Sequence, residues 1–440
     1  MEELMQYVWR YRLWPELSLR TADGLAVEVV DQGQLNRGSG PDFFNASVRI
    51  GGELWAGNVE IHVRASDWHR HGHDGDAAYD NVILHVVAYD DCEICRSDGS
   101  VIPQVTIRCH EALEQEYRSF MQSPSSELPC ARHLAEVPAI ILHDWLTALA
   151  FERLQRKADD VLKLVGATHG DWNTAAYVTL ARAMGFGSNA DAMERVARAT
   201  PLKRIRRHAD SQTAVEAMLI GRAGLLSETP RDAYEARLLT DFRFYSHKFG
   251  TAEDLELLNC AGEPGAPYTP PVWNMRQRPA NTPLRRVVTL ASFICAHGSP
   301  GPEMLSVSSY EQAHELFAFT IPQYWREHQS FGVPGKFPAA ALAEGSIRLL
   351  CINAIIPLKY AHAEYTGNDR RCEEAVELLQ SLKPEKNSVT ALFENCGLEI
   401  KDAFVSQAVL QLRRAYCEPR KCLYCRLGHK LLSAKIKLNH

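Results

Sequence analysis

Between Leu25 and Ile107 the chain is cut by glycines into short β-prone runs, and this segmentation constrains the fold more than any other feature. The runs are Leu25–Val30, Phe43–Ile50, Leu54–Val63, Val82–Tyr89 and Val101–Ile107. They are separated by Gly33, Gly38 and Gly40, by Gly51-Gly52, by Gly72 and Gly75, and by Ser97-Asp98-Gly99. Runs of that length between turn residues predict strands, and Gly51-Gly52 predicts a tight hairpin. A short helix is expected before them, because Leu4, Met5, Val8 and Trp9 share a helical spacing that Pro15 ends.

Past Ser123–Ser126 and Pro129 the period changes. Leu142, Trp145, Leu146, Leu149, Leu154, Ala158, Val161 and Leu162 recur mostly at spacings of three and four, one apolar stripe on a long helix. Further helical patterns cover roughly 172–184, 190–199, 211–226 and 231–248. A Pro-rich connection runs from Gly262 to Pro283, and helices resume until about 414 with a break near Gly298–Gly301. The expected class is α+β: a mixed or antiparallel sheet module over residues 1–120, a helical domain over 130–260, and a second helical domain over 261–440 with a cysteine-rich end. A chain of 440 residues is long enough for two or three such domains.

Composition narrows the function classes. Apolar residues make up 46% and charged residues 23%, the balance of a globular protein. A net charge of −6 gives no global basic field, so a nucleic-acid partner would have to be held by local patches. The acidic start Met1-Glu2-Glu3 lacks the pattern of a secretory signal. Leu349–Leu358, the most apolar later stretch, falls far short of the ~20 residues that span a bilayer. These features predict a cytoplasmic protein without a membrane partner, whose twelve cysteines are mostly free thiols. There is no P-loop, no G-x-G-x-x-G after a strand, no G-x-S-x-G and no H-E-x-x-H, so dinucleotide redox and serine-hydrolase chemistry have no support.

Reactive side chains concentrate between Gly40 and His85. Alternation along a strand places Glu60 and His62 on one face, with Val59, Ile61 and Val63 toward the core. Asp42 opens the neighbouring strand, and the hairpin would bring it beside Glu60. Two carboxylates and an imidazole there suit Mg²⁺ or Mn²⁺, or a transition metal through the imidazole. Downstream, His69, His71 and His73 recur at intervals of two, among Asp74, Asp76 and Asp80, and His85 sits on an otherwise apolar strand. Most of that loop reads as solvated turn-capping residues. His73 and His85 remain candidate ligands of a metal.

Pro41-Asp42, an intervening hairpin and Glu60-Ile61-His62 resemble the Pro-Asp and Glu-x-Lys motifs of the PD-(D/E)XK, restriction-endonuclease-like superfamily, with His62 in place of the lysine. The resemblance implies that Asp42 and Glu60 bind a divalent metal and that His62 serves the attacking water. The link to the next strand carries Gly72 and Gly75, a poor helix where that superfamily has one. The longer segment from Gly40-Pro41-Asp42-Phe43 through Ser66-Asp67-Trp68, His71-Gly72-His73 and Leu84-His85-Val86-Val87, with Gly185-Phe186-Gly187-Ser188-Asn189 and the cysteine-rich end, is similar to the bacterial domain of unknown function 2851 family. That similarity implies shared architecture and supplies no activity.

Near the C-terminus Cys422 and Cys425 have C-x₂-C spacing, with Cys417 upstream and His429 one helical turn beyond. A structural Zn²⁺ site of three cysteines and His429 is expected, with an iron–sulfur arrangement taking a fourth ligand from elsewhere as the alternative. Cys92-Glu93-Ile94-Cys95 is a weaker second pair. Lys203, Arg204, Arg206 and Arg207 form the strongest cationic run and are the candidate nucleic-acid contacts; Arg276, Arg278, Arg285 and Arg286 make another patch, and Arg413, Arg414, Arg420 and Lys421 a third. The function expected from these features is a divalent-metal-dependent phosphodiesterase acting on nucleic acid. The competing expectations are a non-catalytic binding or scaffold protein with a structural zinc site, and a His/Asp metallohydrolase that does not act on nucleic acid.

Overall fold

The computed structural model describes residues 1–437 apart from 17, 125, 249–267, 279–280 and 339. Its contacts divide the chain into two compact units. The first comprises Met1–Trp145, Asn395–Gly397 and Leu412–His440; the second comprises Leu146–Glu394 and Leu398–Gln411.

The first unit is built on one mixed sheet. Its strands are β1 (Leu19–Arg20), β2 (Ala26–Asp31), β3 (Gln34–Leu35), β4 (Phe43–Ile50), β5 (Glu53–Arg64), β6 (Val82–Tyr89) and β7 (Gln104–Thr106). The order is β1-β2-β4-β5-β6-β7, with β3 on β4. Pairing is antiparallel from β1 to β5 and parallel between β5, β6 and β7. Thr21 and Val105 form an antiparallel bridge, so the two edges of the sheet meet. Gly51 and Gly52 both have positive φ (60° and 98°), as the two-residue β4–β5 turn requires.

Helix α1 (Glu2–Arg10) buries Leu4, Met5, Tyr7, Val8 and Trp9. The parallel β5–β6 crossover contains the one-turn helix α2 (Asp67–Arg70) and two short 3₁₀ turns, His73–Gly75 and Ala77–Tyr79. Its glycines and small residues explain the absence of a longer helix. Trp68, Ala65, Val82, Val87, Ile94 and Ile102 form a core under that crossover.

Three features differ from the sequence reading. The strand expected over Val101–Ile107 is confined to Gln104–Thr106, since Pro103 has no N–H to continue the ladder. A twelve-residue helix, α3 (Glu111–Gln122), lies inside the β-rich module. The chain also divides into two units and not three. The cysteine-rich end returns to the first unit, where Arg413 donates to the Glu127 carbonyl (3.0 Å) and Arg420 to that of Phe120 (3.1 Å). The expected boundary near 260 lies inside the second unit, in which Gln212 donates to Ser292 Oγ at 3.1 Å.

In the second unit α4 (Ala139–Ala167, which begins in the first unit) precedes helices Trp172–Met184, Ala190–Arg198, Gln212–Arg222 and Ala233–Lys248. These match the expected helical patterns closely. The Gly262–Pro283 connection falls partly outside the described residues. A small hairpin, His328–Ser330 with Val333–Pro334, was not foreseen. Among the described residues no helix is long and apolar enough to cross a membrane.

Candidate metal centre

Register explains why the reactive residues meet. Glu60 on β5 pairs with His85 on β6, which pairs with Gln104 on β7. The three side chains therefore form a row across the sheet, and His62 follows Glu60 on the same face. His62 and His85 are completely buried and Glu60 is 5% exposed. Above this row the crossover folds back. Gly72 at φ 78° turns the chain so that His71 and His73, on either side of it, both reach His62.

One nitrogen from each of His62, His71 and His73 lies within 4.8 Å of the other two. His62 Nε2 is 3.1 Å from His71 Nδ1. Glu60 Oε1 is 3.6 Å from His62 Nε2 and 3.4 Å from His73 Nε2. Ligands about 2.0–2.1 Å from a tetrahedral ion stand about 3.3 Å from one another; the three imidazoles lie close enough to share one ion, and Glu60 Oε1 stands beside two of them. His73 Nε2 is buried and has no hydrogen-bond partner among the described residues.

The rest of the network fixes which nitrogen is available. Gln104 Nε2 donates to Asp90 Oδ1 (3.0 Å) and to the Cys92 carbonyl (2.9 Å), so its Oε1 faces His85 Nδ1 at 2.8 Å as an acceptor. His85 must carry its proton on Nδ1. Its Nε2, 2.9 Å from His62 Nδ1, then accepts, which places the His62 proton on Nδ1. The lone pair of His62 Nε2 is left facing His71, His73 and Glu60. Such an outer partner sets the tautomer of a metal-binding histidine.

The carboxylates are held reciprocally. Asp42 N–H donates to Glu60 Oε2 (2.9 Å), and Ile61 N–H donates to Asp42 Oδ2 (3.1 Å). Gln6 of α1 donates to Asp42 Oδ1 at 2.9 Å. Both oxygens of Asp42 are thus engaged, while Glu60 Oε1 has no donor among the described residues. Asp42 positions Glu60; Glu60 presents the free oxygen.

Burial, and then the nearby Asp42 carboxylate, pushes the Glu60 carboxyl well above the usual range, and burial also raises Asp42. Burial drives His62 far below its ordinary value, with His85, His71 and His73 adding to the effect. Burial lowers His85 to about 4 and lowers His73. In the metal-free site the His62, His73 and His85 imidazoles are therefore neutral and the Glu60 carboxyl is protonated. A cation would reverse that preference at Glu60. Aromatic rings wall the cluster: Tyr79 stacks on His73 with centroids 3.8 Å apart, and Trp68 packs edge-on against His73 and His85.

Among the expected residues, the structure brings together Asp42, Glu60, His62, His73 and His85, with His85 as an orienting group and not a free ligand. His69 turns out to Asp74 (2.9 Å) and does not join. The sequence reading did not single out His71, Gln104 or Gln6. The H-G-H spacing is the one signal that marks His71, whereas Gln104 and Gln6 depend on strand order and helix placement.

The other expected sites lie elsewhere. Lys203, Arg206 and Arg207 line an open cleft of about 480 Å³ in the second unit, with Asp171, Asn173 and Thr174. Arg204 lines a separate pocket beside Arg222 and Tyr245. Arg285 and Arg286 are buried, with Arg285 donating to the Trp325 and His328 carbonyls (2.7 and 3.2 Å) and Arg286 over the Phe186 ring at 4.2 Å. They do not form a surface patch. Cys417, Cys422 and Cys425 are buried in the first unit; His429 Nδ1 is 2.8 Å from Tyr7 Oη. Cys92 packs against the core beneath the crossover.

A family model described as "Protein of unknown function (DUF2851)" matches residues 2–388. The chain belongs to the DUF2851 family. The matched span of this DUF2851 chain includes every residue of the imidazole cluster and stops before the cysteine-rich end. No curated protein and no solved structure matches this DUF2851 chain.

Proposed function

We propose that the protein is a metal-dependent hydrolase whose ion is held by His62, His71, His73 and Glu60, and whose substrate is a phosphodiester of nucleic acid. The observation that carries the reading is a set of three imidazole nitrogens within 4.8 Å of one another, with a carboxylate oxygen of Glu60 beside two of those imidazoles in a pre-oriented network. Three nitrogen donors favour Mn²⁺ or Zn²⁺ over Mg²⁺, which prefers oxygen. A divalent ion at such a position lowers the pKa of water and offsets charge on phosphoryl oxygens. The residues of this chain supply the rest: Asp42 and Gln6 orient Glu60, and Gln104 and His85 hold His62 with its Nε2 bare. The phosphodiester assignment follows from the resemblance of Pro41-Asp42 and Glu60-Ile61-His62 to the motifs of restriction-endonuclease-like enzymes; the second unit separately carries a cleft lined by Lys203, Arg206 and Arg207.

A second reading, a metallohydrolase that does not act on nucleic acid, is favoured by the imidazole-rich donor set and the net charge of −6. Both are tested by assaying chelator-stripped full-length protein, reloaded with Mn²⁺ or Zn²⁺, on single- and double-stranded oligonucleotides and on bis(p-nitrophenyl) phosphate. Metal-dependent cleavage of oligonucleotides, reduced at least about 100-fold in Glu60→Gln, supports the first reading. Cleavage of the small diester alone supports the second. Metal binding without hydrolysis of any of these substrates contradicts both and leaves a non-catalytic metal protein.

A further inference from the structure

Cys130 precedes the turn Ala131–Glu136, and Cys417, Cys422 and Cys425 lie on the returning C-terminal segment; all four belong to the first unit. The last three are buried, and none of the four is in a disulfide. We propose that Cys130, Cys417, Cys422 and Cys425 bind an iron–sulfur cluster that fastens the C-terminal segment to the sheet unit.

Several independent features converge on this. The spacing Cys417-x₄-Cys422-x₂-Cys425 supplies three thiols from one short stretch and Cys130 the remote fourth, the division of ligands that iron–sulfur clusters use. Each of the six pairs among the four cysteines is close enough for one thiolate to disfavour the other. Burial and this mutual repulsion push Cys130 and Cys422 up to about 12 and raise Cys417 further. A buried thiol set of this kind needs positive charge to ionise, and iron supplies it.

The backbone around Cys425 is arranged as a ligand knuckle. Burial raises the Cys425 thiol while the neighbouring Leu427 and Gly428 backbone N–H groups oppose that rise, and the Trp145 indole N–H is buried without a hydrogen-bond partner among the described residues. Gly428 lies so close to Cys422 that an added Cβ would fall 2.1 Å from the Cys422 carbonyl oxygen. The loop is pinned from outside the cluster by Arg420, which reaches the Phe120 carbonyl at 3.1 Å, and by Arg413 on the Glu127 carbonyl.

Spacing selects the cluster over a single zinc. Four thiolates on one zinc at about 2.3 Å stand about 3.8 Å from one another. Among the described residues no three cysteine sulfurs come within 4.8 Å of one another. In an iron–sulfur cluster the four thiolates are spread over two or four irons, so no three of their sulfurs crowd round one ion. His429 is not the fourth ligand: Tyr7 engages its Nδ1, its ring packs against Tyr7 and Tyr11, and its electrostatic neighbours are Arg10 and Lys430. This inference does not depend on the imidazole centre.

The test is iron, sulfide and zinc analysis of full-length protein purified without oxygen, before and after reconstitution with ferrous iron and sulfide. Iron and sulfide in equal amounts, about two or about four of each per chain, with broad visible absorbance, are expected. Cys130→Ser should lose most of that iron, while His429→Ala and Cys396→Ser should keep it. One zinc per chain with no iron after reconstitution would overturn the proposal, as would wild-type iron content in Cys130→Ser. If Cys130→Ser does not fold, the wild-type iron and sulfide count decides alone.

Discussion

Two buried glutamates, one in each unit, show how similar burial can serve opposite ends. Glu216, on helix Gln212–Arg222, is completely buried. Its Oε1 accepts from Gln212 Nε2 (2.8 Å), and its Oε2 from Tyr234 Oη and Trp325 Nε1 (both 2.8 Å). Glu60 is buried almost as deeply, yet only one of its oxygens accepts a hydrogen bond; the other faces imidazole nitrogens. Burial raises both carboxyls. Glu216 is saturated by donors from three elements and locks them together. Glu60 is half-satisfied, and a buried group in that state costs stability unless something else completes it. The difference identifies Glu60 as a site residue, a distinction that burial and pKa direction alone do not make.

The comparison breaks most directly at the ligands. His62→Ala or Glu60→Ala should abolish the rise in thermal stability that Mn²⁺ gives the stripped wild type, which at a hundredfold excess over Kd is about 2.7 kcal/mol. Scanning calorimetry with and without Mn²⁺ checks this. Glu216→Ala should do the reverse. It leaves the indole of Trp325 and the hydroxyl of Tyr234 without their acceptor, which costs about 3 kcal/mol in denaturant unfolding, while Mn²⁺ affinity is unchanged.

Smaller effects sharpen the contrast. Gln104→Leu removes the acceptor that sets the His85 and His62 tautomers and should weaken Mn²⁺ binding by about 10–100-fold with little loss of fold. Calorimetric titration measures it, and an unchanged Kd would show that the network does not orient His62. Glu60→Gln should change the pH dependence of the metal-free protein. The folded-state pKa of Glu60 is raised, so wild-type stability falls as pH rises from the unfolded value of about 4.5 through the folded one, and the amide removes that loss. By the same sign, metal binding to wild type releases a proton from Glu60, and affinity falls as pH falls. His69→Ala, which removes a ring paired with Asp74 outside the cluster, should leave Mn²⁺ binding unaltered.

The sheet module was legible because its turns are written in glycine: Gly51-Gly52 fixes the β4–β5 register, and that register puts Glu60 and His62 on one face with Asp42 beside them. Helices such as Trp172–Met184 followed from periodicity. What local pattern could not supply was anything set by pairing between distant strands. Gln104 matters because β7 lies parallel to β6 in one register, and nothing near Gln104 announces that. His73 stood out as a candidate ligand but its neighbour His71 read as a loop residue, because their convergence depends on a left-handed Gly72. The return of Leu412–His440 to the first unit depends on long-range bonds such as Arg420 to Phe120.

The central claim, that His62, His71, His73 and Glu60 form one metal site, is tested most directly by Mn²⁺ titration of chelator-stripped wild type and His62→Ala, read by electron paramagnetic resonance with nitrogen couplings resolved. The account predicts one tightly bound Mn²⁺ coupled to imidazole nitrogen in the wild type and none in His62→Ala. Equal binding in the two proteins, or a bound ion with oxygen ligands only, would contradict it.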